Sequence, residues 1–231
     1  MIVCIAFVVM AENAISVKQL AIKNNELSGW IPRDTMRIFR GAELYDYMDG
    51  AVPQYFEKGV ITTGAQILDG QNSTRVKSMI MDFGRDSNAV AMFLEKKAQN
   101  TGRIIGDPIF PDSVAFMHLI LGGIQGYGHY SNYYFEIAAD GFSDTAQAIP
   151  VFDTMLTWYI QKINELQSVA IKNLLTASNK RGSLKHVEFN VPDFFGKQTR
   201  QGNLLNGRTV SASRKTAAIS VIERIRSQNK K

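Results

Sequence analysis

The sequence predicts an α+β domain in which helices pack on a mainly antiparallel sheet, followed by a basic C-terminal extension. Amphipathic helical segments alternate with pairs of β-rich runs, and the links within those pairs are short enough for hairpins, which favours antiparallel pairing. Apolar residues make up 45% of the chain, enough to build a core. A length of 231 residues fits one domain with extensions.

Composition along the chain predicts four segments. They are a signal-peptide remnant (1–11), a polar lead-in (12–27), the α+β domain (28–170) and a basic, partly disordered extension (171–231). Residues 1–170 contain 13 Lys and Arg against 18 Asp and Glu, whereas residues 171–231 contain 13 against 3. Such an extension can attach to an anionic surface. Its aromatic residues, Phe189, Phe194 and Phe195, lie in one short stretch and are not interleaved with basic residues as in single-strand nucleic-acid sites, which favours a solvated tail.

The N-terminal run MIVCIAFVVM predicts export. It is too short for an integral membrane span, which needs about 20 residues. Its length fits the apolar region of a signal peptide, and Val9-Met10-Ala11 is an acceptable cleavage site. A buried β-strand is the alternative. Cys4 is the one cysteine of the chain, so no internal disulfide is expected. Cleavage of the signal peptide would remove this cysteine. We therefore expect an exported protein that is periplasmic or extracellular.

The stretch LYDYMDGAVPQYFEKG, residues 44–59, predicts a helix, a tight corner and a second short helix. The apolar stripe of the first helix consists of Leu44, Tyr47, Met48 and Ala51. Its opposite, acidic side carries Glu43, Asp46 and Asp49, which water solvates. Gly50 permits the left-handed conformation that ends a helix, and Pro53 suits the first position of the next.

The following elements come from β-rich runs and helical periodicity. Two strands within residues 60–84 are joined by the turn DGQNS. The segment DSNAVAMFLEKKAQ predicts a helix capped by Asp86 or Ser87, with three side chains facing inward: Val90, Phe93 and Leu94. A strand is predicted in SVAFMHLIL. The glycine-rich LGGIQGYG is predicted to be a hairpin loop, because its spacing fits no phosphate-binding motif.

The last strand and helix have the clearest periodicity. HYSNYYFEIAAD alternates, so that Tyr133, Phe135 and Ile137 face one way while Tyr134 and Glu136 face the other. The final helix begins near Pro150. Its predicted apolar stripe consists of Ile149, Phe152, Leu156, Tyr159, Ile160 and Ile163.

The order of these segments resembles a family of mostly exported, uncharacterised bacterial proteins, known as a domain of unknown function. The resemblance covers roughly residues 28–166 and depends on a Leu-Tyr-x-Tyr-(Ile/Met)-(Asn/Asp)-Gly-Ala motif. Here that motif is Leu44 to Ala51, followed by Tyr55 and Gly59. Asp49 stands where the family usually has Asn, and Lys58-Gly59-Val60 replaces an aromatic-Gly-aromatic end. The resemblance implies an exported α+β domain and no established activity.

Candidate chemistry centres on the tyrosines near the motif. A tyrosine combines an apolar ring with a polar tip, so it can line a groove for sugars or peptides, although core packing is its commoner use. We predict Asp49, Tyr47, Tyr55 and Tyr133 as ligand-binding residues, with no catalytic residue, metal or cofactor. His118 and His129 flank the glycine-rich segment, but the sequence positions no third metal ligand near them.

Three functions are compatible with the sequence. We favour a non-enzymatic exported domain with a binding or structural role in the cell envelope. The first alternative is a hydrolase that uses the acidic helix around Asp49 and the glycine-rich loop. The second is attachment to an anionic membrane or a nucleic acid through residues 171–231.

The export prediction can be checked by N-terminal sequencing. Protein recovered from the periplasm or medium of an expressing bacterium should begin near Glu12, because cleavage follows the small residue Ala11. Recovery of the chain from the cytosol with Met1 intact would contradict export.

Overall fold

The structure, a computed structural model, describes residues 15–48, 50–100, 110–111 and 113–181, with the backbone alone at residues 145 and 174–181. It confirms the α+β class, because one antiparallel sheet of seven strands is packed with helices in this part of the chain. The strands are β1 (Ile31–Pro32), β2 (Arg37–Phe39), β3 (Thr62–Asp69), β4 (Arg75–Asp82), β5 (Ala115–Ile120), β6 (Gly123–Tyr130) and β7 (Tyr133–Asp140). The α-helices are α1 (Val52–Glu57), α2 (Asp86–Gln99) and α3 (Ile149–Arg181).

Short 3₁₀-helices complete the described elements. They span Val17–Leu20, Gly41–Asp46, Gln71–Ser73 and Thr145–Gln147. By its internal contacts the chain divides into two units, Met1–Leu174 and Leu175–Lys231, and the sheet belongs to the first.

The sheet has the order β1–β3–β4–β7–β6–β5, and β2 also pairs with β3. The predicted strand pair forms the β3–β4 hairpin, and β7 lies in the interior, paired with β4 on one side and β6 on the other. The predicted alternation of β7 is confirmed. Phe135 and Ile137 face α3, which defines the α3 side of the sheet, whereas Tyr134 packs with the buried residues of α2 on the α2 side.

Helix α3 packs on the sheet through its predicted apolar stripe. All of the stripe except Ile149 is buried: Phe152, Leu156, Tyr159, Ile160 and Ile163. The Tyr159 ring stacks on Phe135 with centroids 5.6 Å apart, and its hydroxyl donates to Ser78 Oγ at 2.8 Å. Burying each such side chain contributes about 1.5–3 kcal/mol, so this stripe is a main source of stability.

The glycine-rich segment is a strand, β6, rather than the predicted loop. The turn between β5 and β6 lies at Leu121-Gly122, where Gly122 has a φ of +75°. On the α3 side, a Cβ at Gly126 would lie 2.2 Å from the Phe152 ring, and one at Gly128 would lie 2.9 Å from Leu156. These glycines therefore let α3 approach the strand closely. From sequence alone these glycines predicted a turn, because the need for a small residue here arises from a helix that is distant in sequence.

The motif region has the predicted corner but a different first helix. A 3₁₀-helix, Gly41–Asp46, replaces the expected α-helix, and α1 follows the corner. Gly50 has the predicted left-handed conformation with a φ of +68°, and Pro53 is the second residue of α1 rather than the first. Because the 3₁₀-helix ends before Tyr47, that side chain leaves the predicted apolar stripe and is 36% exposed.

Helix α2 begins where predicted but presents a different face. Its buried residues are Ala89, Met92 and Phe93, whereas Leu94 is 55% exposed. The N-cap is Arg85, without a side-chain capping bond, so neither Asp86 nor Ser87 has the predicted capping role. The six consecutive apolar residues from Ala89 to Leu94 gave no periodicity by which to orient the helix.

The lead-in segment is packed against the α3 side of the sheet. Its buried side chains are Ile15, Val17, Leu20, Ile22 and Leu27. The Gln66 side chain on β3 exchanges two hydrogen bonds with the Ile22 backbone, at 3.0 and 2.8 Å. Glu26 pairs with Lys162 of α3 at 3.3 Å. Residues 15–27 therefore contribute to the same core as α3.

The close approach of α3 to β6 predicts a specific coupling. Gly126→Ala should lower the free energy of unfolding by about 1–3 kcal/mol, because the new methyl group overlaps the Phe152 ring. The cost should shrink in a Phe152→Leu background, measured by urea unfolding as a double-mutant cycle.

Gly122→Ala is the matched control, since its Cβ would meet no atom within 4 Å and its cost arises from the positive φ alone. That cost should be the same in both backgrounds. Equal costs of Gly126→Ala with and without Phe152 would show that the glycine is not needed for the approach of α3.

Candidate functional site

A carboxylate on β7 is held by two tyrosine hydroxyls on the α2 side of the sheet. Glu136 Oε1 accepts a hydrogen bond from the Tyr55 hydroxyl at 2.7 Å and another from Tyr134 at 3.0 Å. Tyr55 comes from α1, so the helix after the motif corner is tied directly to the central strand. The Tyr127 ring, 6.5 Å from that of Tyr134, extends the cluster onto β6.

Burial sets the protonation behaviour of this carboxylate–tyrosine cluster. It raises the pKa of Glu136, while the positive charge of Lys96 and the two tyrosine hydrogen bonds act in the opposite direction. The pKa values of Tyr55, Tyr127 and Tyr134 are also raised, first by burial and then by the negative charge of Glu136. The tyrosines therefore stay protonated as hydrogen-bond donors.

The hydrogen bonds of this cluster have a structural role, because they connect α1 to β7. Tyr55 is 1% exposed and Tyr134 is fully buried. Apolar side chains of the same buried cluster surround them, among them Met81, Phe83 and Met92. The Tyr55 and Tyr134 hydroxyls are bound to Glu136 itself, so the arrangement positions α1 against the sheet.

The structure does not bring the predicted ligand-binding residues together. Tyr55 lies on the α2 side of the sheet, whereas Tyr133 is buried on the α3 side and donates its hydroxyl to the Ile15 carbonyl. Tyr47 lies at the surface, stacked on Phe39 with ring centroids 4.7 Å apart. Asp49 lies outside the described residues.

The two sheet histidines pack on different rings of one aromatic cluster, in which Phe116 links Phe93 to Tyr127. The His129 ring lies 4.9 Å from that of Phe93, and its Nε2 is 2.8 Å from the Ser113 carbonyl oxygen. His118 stacks on Tyr127 with centroids 5.7 Å apart. Among the described residues, no group of three or more His, Cys, Asp or Glu side chains could hold a metal ion.

A groove of about 400 Å³ lies between the lead-in segment and the outer flank of α3. Its lining consists of Leu27, Pro150, Asp153, Thr154, Thr157, Trp158 and Gln161. The volume lies within the range of small-molecule sites, roughly 300–1,000 Å³. Apolar and polar side chains are both present, and Asp153 is the one ionisable residue of the lining. We refer to this feature as the Trp158 groove.

The local sequence of α3 explains how the Trp158 groove forms. The apolar stripe of α3 is buried in the core. The groove residues of α3 recur every three or four positions, so they share the neighbouring flank of the helix. Lys162 lies over the Trp158 ring, 5.6 Å from its centroid, while also pairing with Glu26. The Trp158 side chain is therefore held in place at the edge of the groove.

Sequence reasoning missed the Trp158 groove. The signal available in the sequence was a tryptophan on a helix flank that otherwise carries Asp, Thr and Gln. The opposite wall, Leu27, comes from a segment that the sequence predicted to be a polar lead-in.

Comparisons with known proteins include a weak similarity to a solved structure. No protein-family model and no curated protein matches the chain. The extracellular domain of PknH from Mycobacterium tuberculosis is similar at 12% sequence identity and a TM-score of 0.43, covering 63% of this chain and 93% of that one. Within the described residues, no helix is both long and apolar enough to cross a membrane.

The raised pKa of Glu136 predicts a pH-dependent stability. A carboxyl group whose pKa is higher in the folded state stabilises the fold below its unfolded pKa, about 4.3, and this contribution is lost as pH rises through the folded pKa. Urea unfolding between pH 4 and pH 8 should show wild type losing stability relative to Glu136→Gln as the pH rises. Glu95→Gln, which removes the surface partner of Lys58, is the matched control and should not reproduce this change.

Proposed function

We propose that this chain is an exported, non-enzymatic binding domain of the bacterial cell envelope and a member of the uncharacterised family that its motif resembles. The observation that carries the binding role is the Trp158 groove, which combines ligand-sized volume with an aromatic ring and several polar side chains. The apolar run at residues 1–10 supports export.

The chemistry of the Trp158 groove favours binding over catalysis. Acid–base hydrolysis of the kind used by glycosidases needs two carboxyl groups, and the groove lining contains Asp153 alone. The half-buried carboxyl group of Glu136, whose pKa is raised, is engaged by Tyr55 and Tyr134 on the other side of the sheet. It therefore contributes no second acid or base to the groove.

The hydrolase alternative combined the acidic helix around Asp49 with the glycine-rich segment, and this fold does not support that combination. It required the glycine-rich segment to border the acidic helix near Asp49. Gly126 and Gly128 instead face α3, while α1 packs on the opposite side of the sheet through Tyr55. Attachment through residues 171–231 remains a prediction, because residues 182–231 lie outside the described part of the chain.

Co-sedimentation with a bacterial envelope fraction tests the binding role. The full chain should pellet with sacculi and membranes, and Trp158→Ala should lose more than half of that retention because the aromatic wall is removed. Thr157→Arg should have the same effect by filling the groove while leaving Trp158 in place.

The control for this experiment is Tyr45→Ala, which removes an aromatic side chain that is 51% exposed elsewhere on the surface. It should be retained like wild type, and thermal melting should confirm that each variant is folded. Equal retention of wild type, Trp158→Ala and Thr157→Arg would contradict a role for the groove. Turnover of a hydrolase substrate by the full chain would contradict the non-enzymatic assignment.

A further inference from the structure

We infer that strand β5 is a self-association surface, through which two copies of this chain pair edge to edge in an antiparallel, two-fold symmetric dimer. The inference is independent of the Trp158 groove and goes beyond the proposed binding function. It follows from the backbone groups of β5 that face outward, from the side chains beside them, and from the register that a second copy can adopt.

Strand β5 forms one edge of the sheet. It pairs with β6, and no other strand in the described part of the chain pairs with it. An edge strand presents a row of unpaired N–H and C=O groups to any extended chain that approaches it, and proteins usually protect such an edge with charged side chains, proline or a bulge. The sequence of β5, AFMHLI, contains no charged residue and no proline, and its register with β6 is uninterrupted.

One hydrogen bond shows which backbone groups of β5 face its neighbour. The His129 N–H donates to the Val114 carbonyl at 3.0 Å, so Val114 directs its backbone groups toward β6. Successive residues of a strand direct these groups to opposite sides. Alternate residues after Val114 therefore bond to β6, namely Phe116, His118 and Ile120.

The residues between them direct their backbone groups away from β6. At Ala115 the N–H is already bonded to the Pro111 carbonyl, at 3.1 Å. Met117 and Leu119 remain, and among the described residues neither their N–H groups nor their carbonyls have a partner. The Leu119 side chain beside them is 52% exposed. The edge thus offers two donors, two acceptors and an apolar side chain to an extended partner.

A second copy of β5 satisfies these four backbone groups at once. In an antiparallel pair centred on His118, Met117 of each copy lies opposite Leu119 of the other as a hydrogen-bonded pair. This register keeps the bond between Ala115 and Pro111. A pair centred on Met117 would instead need the Ala115 N–H, which is engaged. The available backbone groups therefore select one register.

The side chains that meet in this register are complementary. Phe116 belongs to the buried cluster on the α2 side, where it would lie beside Ile120 of the other copy. On the α3 side the exposed Leu119 would pack beside Met117. The junction brings no two charged side chains of β5 together, because the strand has none. A foreign strand could form the same main-chain bonds, but β5 already supplies the apolar counterparts that Met117 and Leu119 need.

Sedimentation velocity of the full chain over a wide range of concentrations tests the dimer. Leu119→Lys should raise the dissociation constant about tenfold or more, because it places an ammonium group against Met117 of the other copy. Leu119→Pro should weaken association similarly, since it removes one outward N–H and leaves the bonds to β6 intact. Thermal melting of the dilute variants should confirm that each is folded.

Ile61→Lys is the matched control for these variants. Ile61 is also an exposed apolar residue, but it directly precedes β3, which is separated from β5 by three strands. This variant should associate like wild type. A chain that is monomeric at every concentration, or association that neither Leu119→Lys nor Leu119→Pro weakens, would overturn the inference.

Amide hydrogen exchange provides a second measurement that needs no variant. The Phe116 and His118 amides, bonded to β6, should be protected at every protein concentration. Those of Met117 and Leu119 should be protected at high concentration and exchange rapidly on dilution, because the second copy covers them. Protection that persists on dilution would show that a single chain covers this edge, and protection of a monomer by an added apolar peptide would assign the edge to another partner. Either result contradicts self-pairing.

Disulfide formation between copies tests the register. In a Cys4→Ser background, His118→Cys should cross-link under mild oxidation, because a non-hydrogen-bonded pair on the two-fold axis has its Cα atoms about 4.5 Å apart. Met117→Cys is the matched variant and should not cross-link, because residues in diagonal positions lie about 7–8 Å apart. Cross-linking of Met117→Cys in place of His118→Cys would overturn the proposed pairing.

Discussion

Strand β7 is covered on both sides at Tyr133 and Tyr134, so the hydroxyls of these two buried side chains must be satisfied inside the protein. Tyr133 meets this requirement on the α3 side by donating to the Ile15 carbonyl. Tyr134 meets it on the α2 side by donating to Glu136, which also accepts from Tyr55. An unsatisfied buried polar group costs about 1–3 kcal/mol. The lead-in segment and α1 are therefore placed by the hydrogen-bonding needs of one strand.

The same sheet must also accept a long helix at close range. Gly126 and Gly128 leave room for Phe152 and Leu156 and so determine how deeply α3 lies on β6. With its inner stripe fixed in this way, the neighbouring flank of α3 is presented at the surface beside Leu27. The Trp158 groove is thus a consequence of how α3 and the lead-in segment pack on the sheet.

Most of the fold could be predicted from local patterns, and the exceptions have physical reasons. Alternation in β7 and the apolar stripe of α3 oriented those elements correctly. Strand β6 was predicted to be a loop because its glycines are typical of turns. They are needed instead for the close approach of α3, a helix distant in sequence. The candidate site was missed for a related reason: its two walls, Leu27 and the α3 flank, meet through tertiary packing alone. Asp49, the residue most emphasised by the motif, lies outside the described residues.

The long-range hydrogen bonds and the ion pair of the lead-in segment affect the order in which the chain folds. Ile15 is bound by Tyr133, 118 residues later, and Glu26 by Lys162, 136 residues later. Contacts of such wide separation slow folding, because most of the chain must be present and ordered before they form. Ile15 and Glu26 therefore stay without these partners until β7 and α3, respectively, have been synthesised.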